Sequence, residues 1–570
     1  MRHLFKTMSC SLLGLALSVA TPVSAQPTQG FAGAYLAARH ASLFNDYTQA
    51  ADYFVRAIAR DRNNAALMES AVLSYANAGQ ITRAAPIAAR MEALGAVSQI
   101  GQMVILADHL ENEKYDRALA ALDGGLSVGP LVDGLVRGWA LMGTGDRSAA
   151  LAAFDAAAQT EGLESFAQYH KALALAVDGD FEKAVALLDG SETGPLRLTR
   201  RGTIAYAQML GQLGKGQQAA DAIRVGFDSM MDPSLDALLV RLEAGDDVPF
   251  DFLTSVQDGL AEVFYTVAGA LNGEASDSYT LLYARIGTHL RPTHTDAILL
   301  SAALLSRQDQ FDLATAAYDS VPREDPSYHM AEMARSDALV RAGNPDAAIE
   351  VLSQLTETHG DLPSVHSSLG DALRRQERFD EATAAYDAAL ALYDTPAANH
   401  WILYYARGIT HEREDRWPLA EADFRMALDL NPNQPNVLNY LGYSMVEMQV
   451  NLDEALDMIE RAVAAQPDSG YITDSLGWVL YRMGAYDDAV GYMERAVELM
   501  PADPIINDHL GDVYWAVGRQ IEAEFQWKRA LSFDPEEDEA ERIRRKLEVG
   551  LDVVLDAEGA APLHVVADDG

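Results

Sequence analysis

The sequence predicts an all-α fold, a solenoid of stacked helical hairpins, and three observations predict it. Small residues recur in a fixed register along much of the 570-residue chain. Within each period a second small residue follows the first after twelve positions, and in the C-terminal half a proline closes most periods. Together these describe a unit of two amphipathic helices and a short turn. Such a unit cannot bury its apolar face alone and must stack on neighbours.

The register is plainest near the C-terminus. There Gly477 is followed by Ala489, Met493, Ala496 and Pro501. The same offsets pick out Gly511, Ala523, Trp527, Ala530 and Pro535, and also Gly408, Ala420, Phe424, Ala427 and Pro432. Gly442 fits after one inserted residue, with Ala455, Ile459, Ala462 and Pro467. The anchors Ala302, Ser336, Gly370, Gly408, Gly442, Gly477 and Gly511 lie 34, 34, 38, 34, 35 and 34 residues apart. Small groups at the anchor and twelve positions on let the two helices approach closely. The prolines at 432, 467, 501 and 535 have no amide hydrogen and stop the second helix.

A fainter version of the rhythm runs through the N-terminal half, where Ala38, Val72, Leu106, Gly138 and Ala172 lie 34, 34, 32 and 34 apart. About six repeats then occupy residues 31–235. The stretch RLEAGDDVPFDFLTSVQDG breaks the register with Gly, Asp and Pro. A degenerate repeat resumes the array with Ala268, one period before Ala302. The expected organisation is an N-terminal degenerate array at 26–240, a hinge or irregular repeat at 241–266, and a C-terminal array at 267–535. A capping helix and acidic tail follow at 536–570, and the repeats number about 13–14. In the capping helix acids lead and Arg542, Arg544, Arg545 and Lys546 trail, as the helix dipole favours. That basic cluster reads as dipole matching and solubility.

This pattern resembles the tetratricopeptide repeat family, whose motif places Trp, Leu, Gly, Tyr, Ala, Phe, Ala and Pro at these spacings. Leu441-Gly442, Leu476-Gly477 and Leu510-Gly511 supply the Leu-Gly pair and Tyr514 the tyrosine, while the Trp position is mostly unfilled. The resemblance implies a right-handed superhelical α-solenoid whose first helices line a groove for protein partners. Residues 438–484 are also similar to exported bacterial tetratricopeptide proteins. Some of those are envelope lipoproteins that bring cell-wall hydrolases to a C-terminal processing protease, so an envelope protease is one implied partner. This chain departs from them in having no obvious lipid-attachment cysteine.

The first residues carry a processing signal. Arg2 and Lys6 precede the apolar run SCSLLGLALSVA, and Val23 and Ala25 mark a cleavage site, so residues 1–25 read as a secretory signal peptide. The chain's one cysteine, Cys10, leaves with it, which excludes disulfides, zinc-thiolate sites and cysteine catalysis from the mature protein. Export places the protein in the bacterial periplasm, peripheral to the envelope at most. No later stretch reaches the ~18 apolar residues of a transmembrane helix. With 84 acidic against 43 basic residues the net charge is -41, so nucleic acid and anionic lipid are poor partners.

In each first helix the offsets -4, -1, 0 and +3 from the anchor face the core, which leaves -3, +1 and +4 as a second stripe. In the family that stripe lines the groove. Here it gives Tyr405, then Asn439 and Tyr443, then Asp474, Trp478 and Tyr481, then Asp508, Asp512 and Trp515. Aromatics beside acids suit an extended or helical peptide carrying Lys or Arg. Trp478 stands out, because its offset usually holds a small or polar residue. The histidines supply no metal or catalytic pattern: HLRPTH sets His289 and His294 across a proline, and HERED lacks the second histidine of a zinc-protease helix. No cofactor or metal is expected. The function expected is a non-enzymatic protein-interaction scaffold or adaptor of the cell envelope. The alternative is an envelope polysaccharide-handling or carbohydrate-binding factor, or an enzyme with a small site in the hinge.

Overall fold

The computed structural model describes residues 31–190, 198–227, 233–560 and 563. The signal peptide expected at 1–25 and the end of the acidic tail lie outside them. The described residues form 31 α-helices and one 3-10 turn, with no β-strand among them. Along the chain the helices follow as thirteen hairpins, with the single helices Pro233–Ala244, Tyr328–Arg341 and Pro345–Thr358 between them and Glu537–Val549 and Leu551–Glu558 at the end.

The glycine-anchored hairpins are built as the register requires. A Cβ placed on Gly408 would meet the ring of Phe424 at 2.6 Å, one on Gly370 the ring of Tyr386 at 2.6 Å, and one on Gly477 the Met493 side chain at 2.7 Å. The anchor glycines therefore mark where the second helix lays a large buried side chain across the first. Ala489 and Ala496 are fully buried at the same crossing. The turn is equally specified. At Gly484 the backbone is left-handed with φ 83, and the amide of Ala485 closes back on the carbonyl of Leu480 at 2.9 Å. Asp415 and Glu377 take that place in their own hairpins with φ 57 and 58.

The chain divides into two compact units, 1–343 and 344–570. In the first, six hairpins run from Phe31 to Phe227. Residues 245–255, inside the stretch expected as a hinge or irregular repeat, form a connector within this unit. Val248, Phe252 and Leu253 are buried, and Gln208 holds Asp251 at 2.6 Å and the Phe252 amide at 3.1 Å.

The connector leads into the hairpin Val256–Leu271 and Asp277–Leu290, which does not simply extend the row. It packs against the first helices Ala65–Asn77, Gln99–Glu111, Pro130–Gly143 and Glu164–Val177. Gly259 lies flat on the fully buried Trp139, where a Cβ would meet the indole at 2.5 Å. Asn77 donates to the Ser278 carbonyl at 3.0 Å, and Arg285 donates to the Asn77 carbonyl at 3.2 Å. Deeper in, Glu262 accepts from Tyr169 at 3.0 Å and from Arg201 at 2.8 Å. His294 Nδ1 accepts the Ala297 amide, so its proton sits on Nε2 and is donated to Glu262 at 3.0 Å. Burial alone would raise the Glu262 pKa, but the Arg201 charge and the His294 bond hold it well below the usual carboxylate range. The first-helix face of this unit is thus filled by its own chain.

The second unit holds the helix Pro345–Thr358, five hairpins from Pro363 to Leu531, and the terminal pair. Its core is continuous through Phe424, Leu441, Ile459, Val479, Met493 and Trp527, all fully buried.

Candidate protein-binding cleft

The first helices Pro435–Glu447, Gly470–Arg482 and Pro504–Ala516 of the second unit pack side by side. Across them, and reaching the end of Trp401–Arg413, runs an open cleft of about 640 Å³. Tyr440, Tyr443 and Trp417 form its wall, and the exposed Tyr471 and Ile505 stand at its mouth. Five carboxylates line it, Glu412, Asp415, Glu447, Asp474 and Asp503, against the single guanidinium of Arg413. Tyr440 donates to Glu412 at 3.1 Å and Trp478 to Glu447 at 2.7 Å, which fixes both acids while leaving further lone pairs for a ligand. The buried side-chain oxygen of Asn439 has no hydrogen-bond partner among the described residues and is a ready acceptor at the same place.

The nine residues of the predicted stripe divide four ways. Asn439, Tyr443 and Asp474 line the open cleft. Tyr405 does not, because its ring packs into the hairpin interior against Phe424 at 6.1 Å and Tyr440 at 5.9 Å. Trp478 and Tyr481 are mostly enclosed, with 7% and 6% of their surface exposed, and stack on each other at 4.8 Å. Trp478 also stacks on His509 of the next hairpin at 3.9 Å and 12°. Its edge borders a smaller gap of about 330 Å³ beyond the open cleft. His509 is itself held by Asp474 at 3.0 Å. Burial would lower the His509 pKa, but the Asp474 carboxylate outweighs it and the net direction is upward, favouring an imidazolium on the indole face.

The remaining three are covered by the terminal helices. Lys546, fully buried, donates to Asp508 at 2.7 Å and to Asp512 at 2.7 Å. Trp527 also donates to Asp512 at 2.9 Å, and burial pushes the Asp512 pKa up although Lys546 opposes it. Trp515 donates to Asp552 at 2.9 Å. The basic cluster read as dipole matching is therefore split. Lys546 and Arg542 turn inward to the acids, while Arg544 and Arg545 stay outside.

Several cleft residues are missing from the predicted nine. Glu412 lies on the stripe, at the +4 offset from Gly408, and was passed over; Tyr471 and Ile505 lie one turn before the stripe begins, so extending it by a turn at its N-terminal end finds them. Tyr440 and Glu447 fall off the stripe, and only the packing of adjacent hairpins brings them to the wall.

A solenoid of helical hairpins with an acidic, aromatic cleft on its first helices defines a class of repeat scaffolds. The family model for the tetratricopeptide repeat matches residues 135–195, 299–363, 368–435 and 449–504 of this chain. It is 27% identical over 155 residues to a TPR repeat-containing protein of Pseudomonas aeruginosa, covering 27% of this chain and 26% of that one. It is 27% identical over 188 residues to tetratricopeptide repeat protein 13 of Homo sapiens, covering 32% and 21%. The chain thus spans about a quarter or less of these relatives' lengths. Among solved structures it is similar to a chain of the APC/C hetero-tetramer Cut9-Hcn1, at 16% identity, with 90% of this chain and 96% of that chain covered and a TM-score of 0.38.

Proposed function

We propose that this protein is a non-enzymatic interaction scaffold of the bacterial cell envelope, and that its cleft at Glu412–Ile506 captures partner segments carrying Lys or Arg. The observation that carries the reading is the cleft itself. An apolar, aromatic wall offers burial to a partner side chain, and four carboxylates beside the His509-paired Asp474, against one guanidinium, offer charge complementarity to a basic one. The fold supports a protein partner, since first-helix faces of helical solenoids are extended binding surfaces. The N-terminal sequence, with its basic start, apolar run and small-residue cleavage site, supports export to the periplasm. An envelope protease or a hydrolase it processes is a partner class consistent with the resemblance of residues 438–484.

The test is quantitative binding of the purified chain to a panel of synthetic basic peptides and to envelope proteins recovered by crosslinking from position 471. Binding is expected to weaken at least tenfold in the Tyr471→Ala/Ile505→Ala variant and to fall as salt is raised. Equal binding by that variant, or binding of glycans rather than of any polypeptide, overturns the proposal.

A further inference from the structure

The chain places one ligand on this face itself. Helix Glu537–Val549 presents Arg542 and Lys546, four residues apart, to Asp508 and Asp512, four residues apart on Pro504–Ala516. Lys546 lies 2.7–2.9 Å from both oxygens of each acid. Arg542 lies 3.8 Å from Asp508 and 3.7 Å from Asp512, near enough to add its charge, and donates its hydrogen bonds to Glu558 at 2.8 and 3.2 Å. Ile543, beside Arg542, is buried in the same contact, with 2% of its surface exposed. Lys546 bridges the two acids and Arg542 stands one turn before it on the same helix face, so the contact is made between two helices. Four residues of α-helix rise about 6 Å, whereas four residues of extended chain span about 13 Å.

The docked helix is also continuous with the cleft. The gap of about 330 Å³ is bounded on one side by Tyr443, Glu447 and Ile505 of the open cleft and on the other by Arg542 and Ile543. A partner that fills the cleft therefore comes up against the terminal helix at Glu539, Arg542 and Ile543.

We infer that the first-helix face of the second unit recognises α-helical segments that carry two basic residues four positions apart beside a buried aliphatic one. Helix Glu537–Val549 is the chain's own copy of that ligand, docked at the last repeat. The inference rests on reading the cleft as a protein-binding surface and adds to it the conformation and spacing of the ligand. It also adds competition, because a partner helix reaches Asp508 and Asp512 only by displacing the chain's own.

The probe is a fluorescein-labelled synthetic peptide of residues 536–560, titrated by anisotropy against the full chain. A docked terminal helix competes at an effective concentration on the order of mM. The Arg542→Gln/Lys546→Met chain, which loses the competing charges but keeps the aliphatic stems, is expected to bind the peptide at least tenfold more tightly than wild type. Adding Asp508→Asn to that chain is expected to remove the gain. A peptide carrying Gln at both basic positions is expected to bind at least tenfold more weakly. The Lys546→Arg chain, which keeps the charge, is expected to behave as wild type, and hydrogen exchange over 470–531 confirms that each variant is folded.

The inference is overturned if the neutral peptide binds as tightly as the basic one, or if the folded doubly substituted chain binds no better than wild type. Its failure is distinguishable from failure of the scaffold reading. Partner binding that still depends on Tyr471 while the basic pair proves irrelevant removes the inference alone, and partner binding indifferent to Tyr471 removes the scaffold reading.

Discussion

Lys546 Nζ lies 2.7 Å from Asp512 Oδ1 in an interior where neither side chain keeps more than 1% of its surface in water. Such a pair need not add net stability, because taking both charges out of water costs nearly what their attraction returns. Breaking it from one side is different. Asp512→Leu leaves the ammonium with Asp508 alone, and the expected loss sits at the low end of about 3–5 kcal/mol. Lys546→Met combined with Asp512→Leu is expected to recover much of that loss. Denaturant unfolding of the three variants checks both statements.

His509 is expected to make the second unit sensitive to pH. Its pKa is raised in the folded state by Asp474 despite burial. A raised histidine pKa contributes stability that is fully present below the unfolded value of about 6.5 and is lost as pH rises through the folded value. Melting temperature is therefore expected to fall as pH is taken upward from about 6.5, and His509→Gln is expected to flatten that slope. A slope unchanged in the variant would assign the dependence to other groups.

Two glycines separate packing from helix propensity. Gly408 and Gly491 are both inside helices, where alanine is favoured by about 0.5–1 kcal/mol. A Cβ at Gly408 meets the buried Phe424 ring at 2.6 Å, whereas one at Gly491 has nothing within 4 Å. Overpacking costs about 1–3 kcal/mol, so Gly408→Ala is expected to destabilise and Gly491→Ala to stabilise by its propensity alone. Opposite shifts in the unfolding midpoint are the readout.

In the first unit, Glu262 is the shared acceptor of Arg201, Tyr169 and His294, and it carries the contact between the inserted hairpin and the row of first helices. Glu262→Gln leaves a mostly buried guanidinium without its main charge partner and is expected to cost about 3–5 kcal/mol. Hydrogen exchange should then rise over 256–290 together with 164–177. Faster exchange in only one of these segments would show that the cluster does not tie them together.

What was legible in the sequence follows from the range of each interaction. The hairpin register shows because a close helix crossing demands a small residue opposite a large one within one period, as at Gly408 and Phe424. The filled face of the first unit does not show. Its bonds join residues 93 and 201 positions apart, Tyr169 to Glu262 and Asn77 to Ser278, and leave no local pattern. The stripe of candidate residues was half legible for a related reason. Helical geometry identifies which side chains leave the core of their own hairpin, but the next hairpin decides whether they remain open. Asn439 and Tyr443 do, whereas Trp478 is taken up by His509 and Asp508 by Lys546. The matching four-residue spacings of Asp508–Asp512 and Arg542–Lys546 were present in the sequence and would have pointed to the docked helix.

Trp478 and Tyr471 should therefore respond oppositely to truncation. Trp478 stacks on both Tyr481 and His509 and bonds Glu447, with only 7% of its surface exposed, so Trp478→Ala removes a packed indole and leaves a cavity. The expected loss is about 3–5 kcal/mol, and any weakening of partner binding would be inseparable from that damage. Tyr471 is 59% exposed at the mouth of the cleft. Tyr471→Ala is expected to change stability by about 0.5 kcal/mol or less while weakening partner binding. Measuring the melting temperature and the dissociation constant on the same two variants checks the assignment. A stable Trp478→Ala protein with lost binding would return Trp478 to the binding surface that its offset in the repeat first proposed for it.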